Sequence, residues 1–234
     1  MTDFVQFYQT YDEEARLQRH REEFVATTYL LDPLFPPRAR ILEIGAATGT
    51  YSLHWAGQGH RLVAVDAVAH HIGQLRAKLA GQPHLAIDPH LGDARDLSQF
   101  AGGNFDAVLC MGPVYHLNAK DVRTTLQGCL AALAPGGLLA VAYVNKFRGF
   151  QSHKYATEFV NYSPDELEAL LAPYALGRLC HAPTDGPVLD DLIHLAQKGA
   201  PLADLHRWLN ERPEVMSDES WPAKSVHGLY VGRK

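Results

Sequence analysis

The stretch from Arg40 to Asp66, RILEIGAATGTYSLHWAGQGHRLVAVD, constrains the fold of this chain more than any other. Arg40 to Ile44 is a short apolar, β-branched run, and Gly45-Ala46-Ala47-Thr48-Gly49 after it has almost no side-chain bulk. Tyr51 to Ala56 continues as a helix that Gly57 and Gly59 stop, and Leu62 to Val65 reads as a second buried strand ending at Asp66. Strand, turn, helix and strand in this order form the unit of a parallel α/β sheet. A turn without side chains lets a ligand lie against backbone N–H groups at a helix N-terminus. A carboxylate at the end of the second strand accepts hydrogen bonds from both hydroxyls of a ribose.

Two nucleotide families share this logic. A nicotinamide dinucleotide site wants G-x-G-x-x-G, which from Gly45 requires glycine at positions occupied by Ala47 and Thr50. The acid Glu43 before the turn and Asp66 after it resemble instead motifs I and II of the class I S-adenosylmethionine (SAM) dependent methyltransferases, with Ala47 in place of the middle glycine. A bare βα turn without a ligand is the bland alternative, and the later segments weigh against it. Gly92-Asp93-Ala94 resembles the family's turn after the third strand, where an aspartate faces the adenine amino group. Gly112-Pro113-Val114-Tyr115-His116-Leu117 resembles a GPLYHL form of motif IV found in small-molecule enzymes, and Leu133-Ala134-Pro135-Gly136-Gly137 resembles the LxPGG turn. The DPPY or NPPY form used on base amines is absent, because positions 111 and 112 are Met and Gly.

The resemblance implies a Rossmann-like three-layer α/β sandwich with a mostly parallel seven-stranded sheet and a C-terminal antiparallel strand. It implies SAM as cofactor, held by Glu43, Gly45, Ala46, Ala47, Thr48, Gly49, Asp66, Ala67, Gly92, Asp93, Ala94, Met111 and Gly112. Loops beyond the carboxyl ends of central strands bind ligands in open α/β sheets, so Tyr115 and His116 become the catalytic candidates. His116 is a general-base candidate because imidazole titrates near neutrality; packing against the cofactor is its alternative role. Tyr8, Tyr11, Arg16 and His227 join Tyr115 and His116 as substrate-side candidates, and His194 and His206 are further pocket candidates.

The N-terminal residues 1–33 read as a helical cap, with Phe4, Phe7, Tyr8 and Tyr11 on one face. Residues 40–144 form the SAM-binding core and 145–234 the substrate-side additions and closing strands, in one domain of 1–234. The polar stretch from Asn145 to Tyr162 is a second candidate cover, and Asp185-Gly186-Pro187 a substrate-facing loop. Ser163-Pro164-Asp165-Glu166 carries a serine cap, a first-turn proline and a glutamate three residues on, which predicts a helix start.

Composition narrows the partners. A net charge of −5 argues against a phosphate-rich partner. The three cysteines, Cys110, Cys129 and Cys180, show no metal-type pairing, and the 13 histidines form no HExxH or comparable spacing, so no metal is expected. With no signal-peptide core and no membrane-length apolar run, the expected setting is cytoplasmic. The expected function is methyl transfer to a small molecule, giving S-adenosylhomocysteine (SAH). An RNA or protein acceptor, a non-catalytic SAM-binding regulator and a nicotinamide oxidoreductase are the alternatives. The acceptor atom and the oligomeric state are not encoded in any motif.

Overall fold

Alternation along the strands decides which way each element faces. In β1 (Arg40–Ile44), Ile41 joins Trp55, Ala107, Leu109 and Ala140 on one side of the sheet. Leu42 and Ile44 join Val108, Leu126, Leu139 and Val141 on the other. Strands buried on both faces, each followed by a helix, can only lie in a sheet covered on both sides.

The computed structural model describes residues 3–8, 11, 13–147, 159–186, 189–217, 221 and 224–234; of these, the side chains of Asp3, Phe4 and Phe7 lie outside the description. The remaining strands are β2 (Arg61–Asp66), β3 (Ile87–Leu91), β4 (Phe105–Cys110), β5 (Leu133–Val144), β6 (Gly177–Pro183) and β7 (His227–Arg233). They form a seven-stranded sheet in the order β3-β2-β1-β4-β5-β7-β6. Only β7 runs antiparallel, and it pairs with β5 on one side and β6 on the other. The order reverses between β1 and β4, and there a crevice opens beyond the strand ends.

Three N-terminal helices, α1 (Asp3–Tyr8), α2 (Glu13–Arg19) and α3 (Arg21–Leu31), precede β1. The expected helical cap is therefore broken into short pieces. Helix α4 (Thr50–Gly57) follows the glycine turn, α5 (Ala69–Ala80) follows β2, and α6 (Ala119–Ala132) follows β4. The α6 helix begins at Ala119 because the Asn118 side chain accepts from the N–H groups of Lys120 and Asp121, both at 3.0 Å. The PGG segment lies inside β5: Phe105 pairs with Leu133 and Ala107 with Leu138, so residues 134–137 form a bulge in the ladder.

Helix α7 (Pro164–Leu171) starts with the expected capping box: Ser163 Oγ accepts from Glu166 N at 3.2 Å, and Glu166 Oε2 accepts from Ser163 N at 2.8 Å. Helices α8 (Asp190–Gln197) and α9 (Leu202–Asn210) pack on α3 through Val25, Ala26, Leu192, Leu205 and Leu209, a small core apart from the sheet. A short α10 (Pro213–Ser217) follows. Cys110 and Cys129 are buried free thiols and Cys180 is half-buried. Among the described residues no helix is long and apolar enough to cross a membrane.

Candidate functional site

The turn after β1 keeps its shape despite its alanine. Gly45, Ala47 and Gly49 all take positive φ, at 81°, 47° and 84°. At Gly45 a side chain has no room, because a Cβ would lie 3.0 Å from the Met111 carbonyl oxygen and 3.0 Å from Pro113 Cδ. At Gly49 it would meet Leu75 Cδ1 at 2.4 Å. The Asp66 carboxylate anchors the turn from the next strand: Oδ2 accepts from Ala47 N and Oδ1 from Val68 N, each at 2.8 Å.

A cleft opens over the ends of β1, β2 and β4. Of the sequence candidates it brings together Tyr8, Gly45, Ala47, Asp66, Ala67, Gly92, Asp93, Ala94, Met111, Gly112, Tyr115 and His116. Asp93 is already paired, with both carboxylate oxygens on Arg95 Nε at 2.9 and 3.0 Å. Those hydrogen bonds hold its carboxyl below the ordinary range against the effect of partial burial. An adenine amino group would share Asp93 with Arg95.

Thr48 and Gly49 support the turn without lining the cleft, and Glu43 lies beneath it. Glu43 is fully buried and accepts a short hydrogen bond from Ser52 of α4, while its Oε1 has no partner among the described residues. Burial pushes its carboxyl up to about 8, against the pull of the Ser52 hydrogen bond.

The acceptor-side candidates form an aromatic wall. The His116 ring packs edge-on against Tyr8 at 5.4 Å and Tyr115 at 4.7 Å, and tilted against Phe159 at 4.9 Å. Burial raises the Tyr115 phenol, so its hydroxyl stays protonated. Val160 N donates to the Tyr115 carbonyl at 2.7 Å, which seats residues 159–162 of the candidate cover against this loop. Residues 148–158 of that cover lie outside the described residues. Tyr11 packs edge-on against Tyr8, with ring centroids 5.7 Å apart, and does not itself line the cleft.

Arg16, Ala46 and His227 line a second, inner cavity over the β4–β5–β7 half of the sheet, together with Glu13, Glu23, Tyr51 and Thr184. Arg16 bridges Glu13 and Glu23, with N–O distances of 2.7 Å to each. His227 Nδ1 pairs with Asp185 Oδ2 at 2.5 Å and lies 4.0 Å from Glu23 Oε2. Burial lowers the His227 imidazole, but the Glu23 and Asp185 carboxylates outweigh it and raise the group. Asp185 therefore sits behind His227, and Gly186 packs on the backbone of Lys224 and Ser225. Pro187 lies outside the described residues. His194 is exposed on α8, and His206 bonds Thr28 Oγ1 at 3.0 Å between α9 and α3; neither lines either of these two cavities.

Two titratable cleft residues were not among the sequence candidates. His71 lines the cleft with Nδ1 3.3 Å from Asp66 Oδ1, and its buried Nε2 has no partner among the described residues. Its signal was its place in the first turn of the helix that follows Asp66. Glu13 lines both cavities, and its signal was the i,i+3 pair with Arg16.

Comparison with known proteins agrees with the geometry. Residues 41–137 match the family described as a methyltransferase domain. A ubiquinone biosynthesis O-methyltransferase of Caulobacter sp. (strain K31) is 33% identical over 147 residues, covering 57% of each chain. The chain spans about half the length of the curated relatives it matches. In fold it is similar to a Burkholderia thailandensis 1,6-didemethyltoxoflavin-N1-methyltransferase solved with SAH and its substrate, at TM-score 0.66 and 19% identity over 99% of this chain and 85% of that one. It is also similar to the [4+2]-cyclase SpnF, at TM-score 0.62 and 18% identity over 92% and 80%. The matched core, the reversal of strand order at the cleft and the glycine turn answered by Asp66 make this chain similar to the class I SAM-dependent methyltransferases in fold and in the layout of the site.

Proposed function

We propose that the protein transfers a methyl group from SAM to a small-molecule acceptor, leaving SAH. The observation that carries this reading is the cleft at the switch point, where a turn of small residues faces a carboxylate on the adjacent strand end. The residues fit the group: Gly45 and Gly92 bring bare backbone to the cleft where a Cβ would press on Met111, Pro113 or Val65, and the buried His71 Nε2, without a partner among the described residues, offers one more polar contact beside Asp66. The curated relatives carry an O-methyltransferase name, and the toxoflavin enzyme acts on a small heterocycle, which supports a small acceptor over RNA or protein.

When bound, SAM supplies an electrophilic methyl carbon on a positively charged sulfur. The protein's work is then to orient and to exclude water. Asp66 and the Gly45–Gly49 turn fix the adenosyl end, with Gly92, Asp93 and Ala94 at the base. Tyr8, Tyr115, His116 and Phe159 wall off the reacting side. Tyr115 contributes a protonated hydroxyl as donor, and His116 holds the wall through its ring contacts.

Thermal denaturation with SAH or NAD, followed by labelled-SAM turnover on a metabolite extract, tests the reading. SAH should raise the melting temperature and NAD should not. Stabilisation by NAD alone, or no label transferred to any small molecule, rejects it.

A further inference from the structure

The inner cavity is built for something the cofactor cleft does not need. It adjoins the cleft through five shared residues, Glu13, Gly45, Ala47, Met111 and Tyr115, and extends away from the ribose carboxylate toward β5, Thr184 and His227. In a sheet whose β1–β2 half carries the nucleotide, this is the side left for a second reactant.

Its polar wall is incompletely satisfied. Both contacts from Arg16 to Glu13 fall on Oε1, leaving the buried Glu13 Oε2 with no hydrogen-bond partner among the described residues. The hydroxyl of Tyr51, a residue only 7% exposed, lies in the same wall, close enough to the Thr27 side chain to interact with it. Leaving the Glu13 oxygen unpaired is unfavourable, and the two groups are complementary: one accepts, the other donates as well as accepts. Arg16 is not available to an anion in the same way, because it is clamped between two carboxylates. With a volume of about 40 Å³ the cavity admits a head group a few atoms in size, since one water needs about 10–15 Å³.

Resting on the methyltransferase reading, we propose that this cavity receives the reacting hydroxyl of a small hydroxylated acceptor, and that Glu13 takes its proton. The acceptor O–H donates to Glu13 Oε2, and the Tyr51 hydroxyl steadies the same end of the molecule. As the oxygen's lone pair forms the new O–CH3 bond, the S–CH3 bond breaks and its electron pair stays on sulfur. The proton moves to the Glu13 carboxylate, so ether, neutral thioether and carboxylic acid replace alcohol, sulfonium and carboxylate. Burial already raises the Glu13 carboxyl, opposed by Arg16, which suits a group that must accept a proton. The remainder of the acceptor lies along Tyr115 and Met111 in the shared mouth.

Calorimetry on SAH-saturated protein tests this with three probes of matched ring and different head group: benzyl alcohol, benzylamine and benzoate. Benzyl alcohol should bind best, and Glu13→Gln should weaken it roughly tenfold or more, as expected for a lost hydrogen bond to a charged group, while the SAH Kd stays within about twofold. Tyr51→Phe should weaken the alcohol alone and serves where Glu13→Gln does not fold. Equal loss of SAH affinity in Glu13→Gln assigns Glu13 to the cofactor and overturns the proposal. So does tighter binding of benzylamine or benzoate, or no binding of the alcohol. Failure of the unmodified protein to bind SAH overturns the methyltransferase reading itself.

Discussion

Ala47 shows how one residue can depart from a motif and leave its backbone intact. It holds φ 47° in the middle of the turn, a conformation that costs a non-glycine residue about 1–2 kcal/mol. Ala47→Gly removes that strain but returns about 0.4–1 kcal/mol of freedom to the unfolded chain. The variant should therefore be more stable by at most about 1.6 kcal/mol in urea denaturation, with the turn unchanged; a clear loss of stability would mean that the Ala47 methyl packs usefully. The turn and its aspartate were legible in the sequence because both depend on backbone shape and strand-end position. The surroundings of Glu43 were not. Alternation in β1 puts Glu43 on the same face as Ile41, which α4 covers, so it meets Ser52 before any ligand. Glu13 escaped for a different reason: a charge run on an amphipathic helix reads as solvated until tertiary packing buries it.

Among the elements, those with a local stop or start signal were read most closely. Helix α9 runs from Leu202 to Asn210 as its apolar spacing predicts, and α7 begins at the Ser163–Glu166 box. Ser163→Ala should cost about 1 kcal/mol in chemical denaturation, and Ser163→Thr should restore most of it; no change on Ser163→Ala would show that Pro164 and the packing of Leu167 and Leu171 hold the helix start alone. The N-terminal segment was harder, because its apolar and charged pattern continues past the break at His20. His20 begins α3 with φ −110° and no side-chain cap, so no residue announces the division. The bulge of residues 134–137 was read as a turn before β5, since Pro and Gly mark both.

At the scale of the whole molecule, its buried titrating groups make stability depend on pH. Glu43 titrates at about 8 in the folded protein against an ordinary 4.5. The folded state therefore binds the extra proton between those values, and this contribution is full at low pH and lost as pH rises toward 8. His227 is raised from 6.5, so its contribution is also lost as pH rises through the folded value. Asp185 is lowered to about 2, burial being outweighed by His227 and its hydrogen bonds, so its contribution fades only below 3.8. The unfolding free energy should fall between pH 5.5 and pH 8, and the fall should be smaller in Glu43→Gln, measured by urea denaturation at both pH values. An identical fall in the variant would place the pH dependence elsewhere.

The seat of β7 between β5 and β6 also sets an order of assembly. The outermost strand, β6, is made before the inner strand that must carry it, and it pairs with no other strand. During synthesis the first five strands can pair among themselves while β6 waits with an unsatisfied edge. His227 arrives at the start of β7, and with it the imidazole that sits between Glu23 and Asp185. The β1–β2 half of the sheet is thus complete early in the life of the chain, and the half built on β5 and β7 closes last.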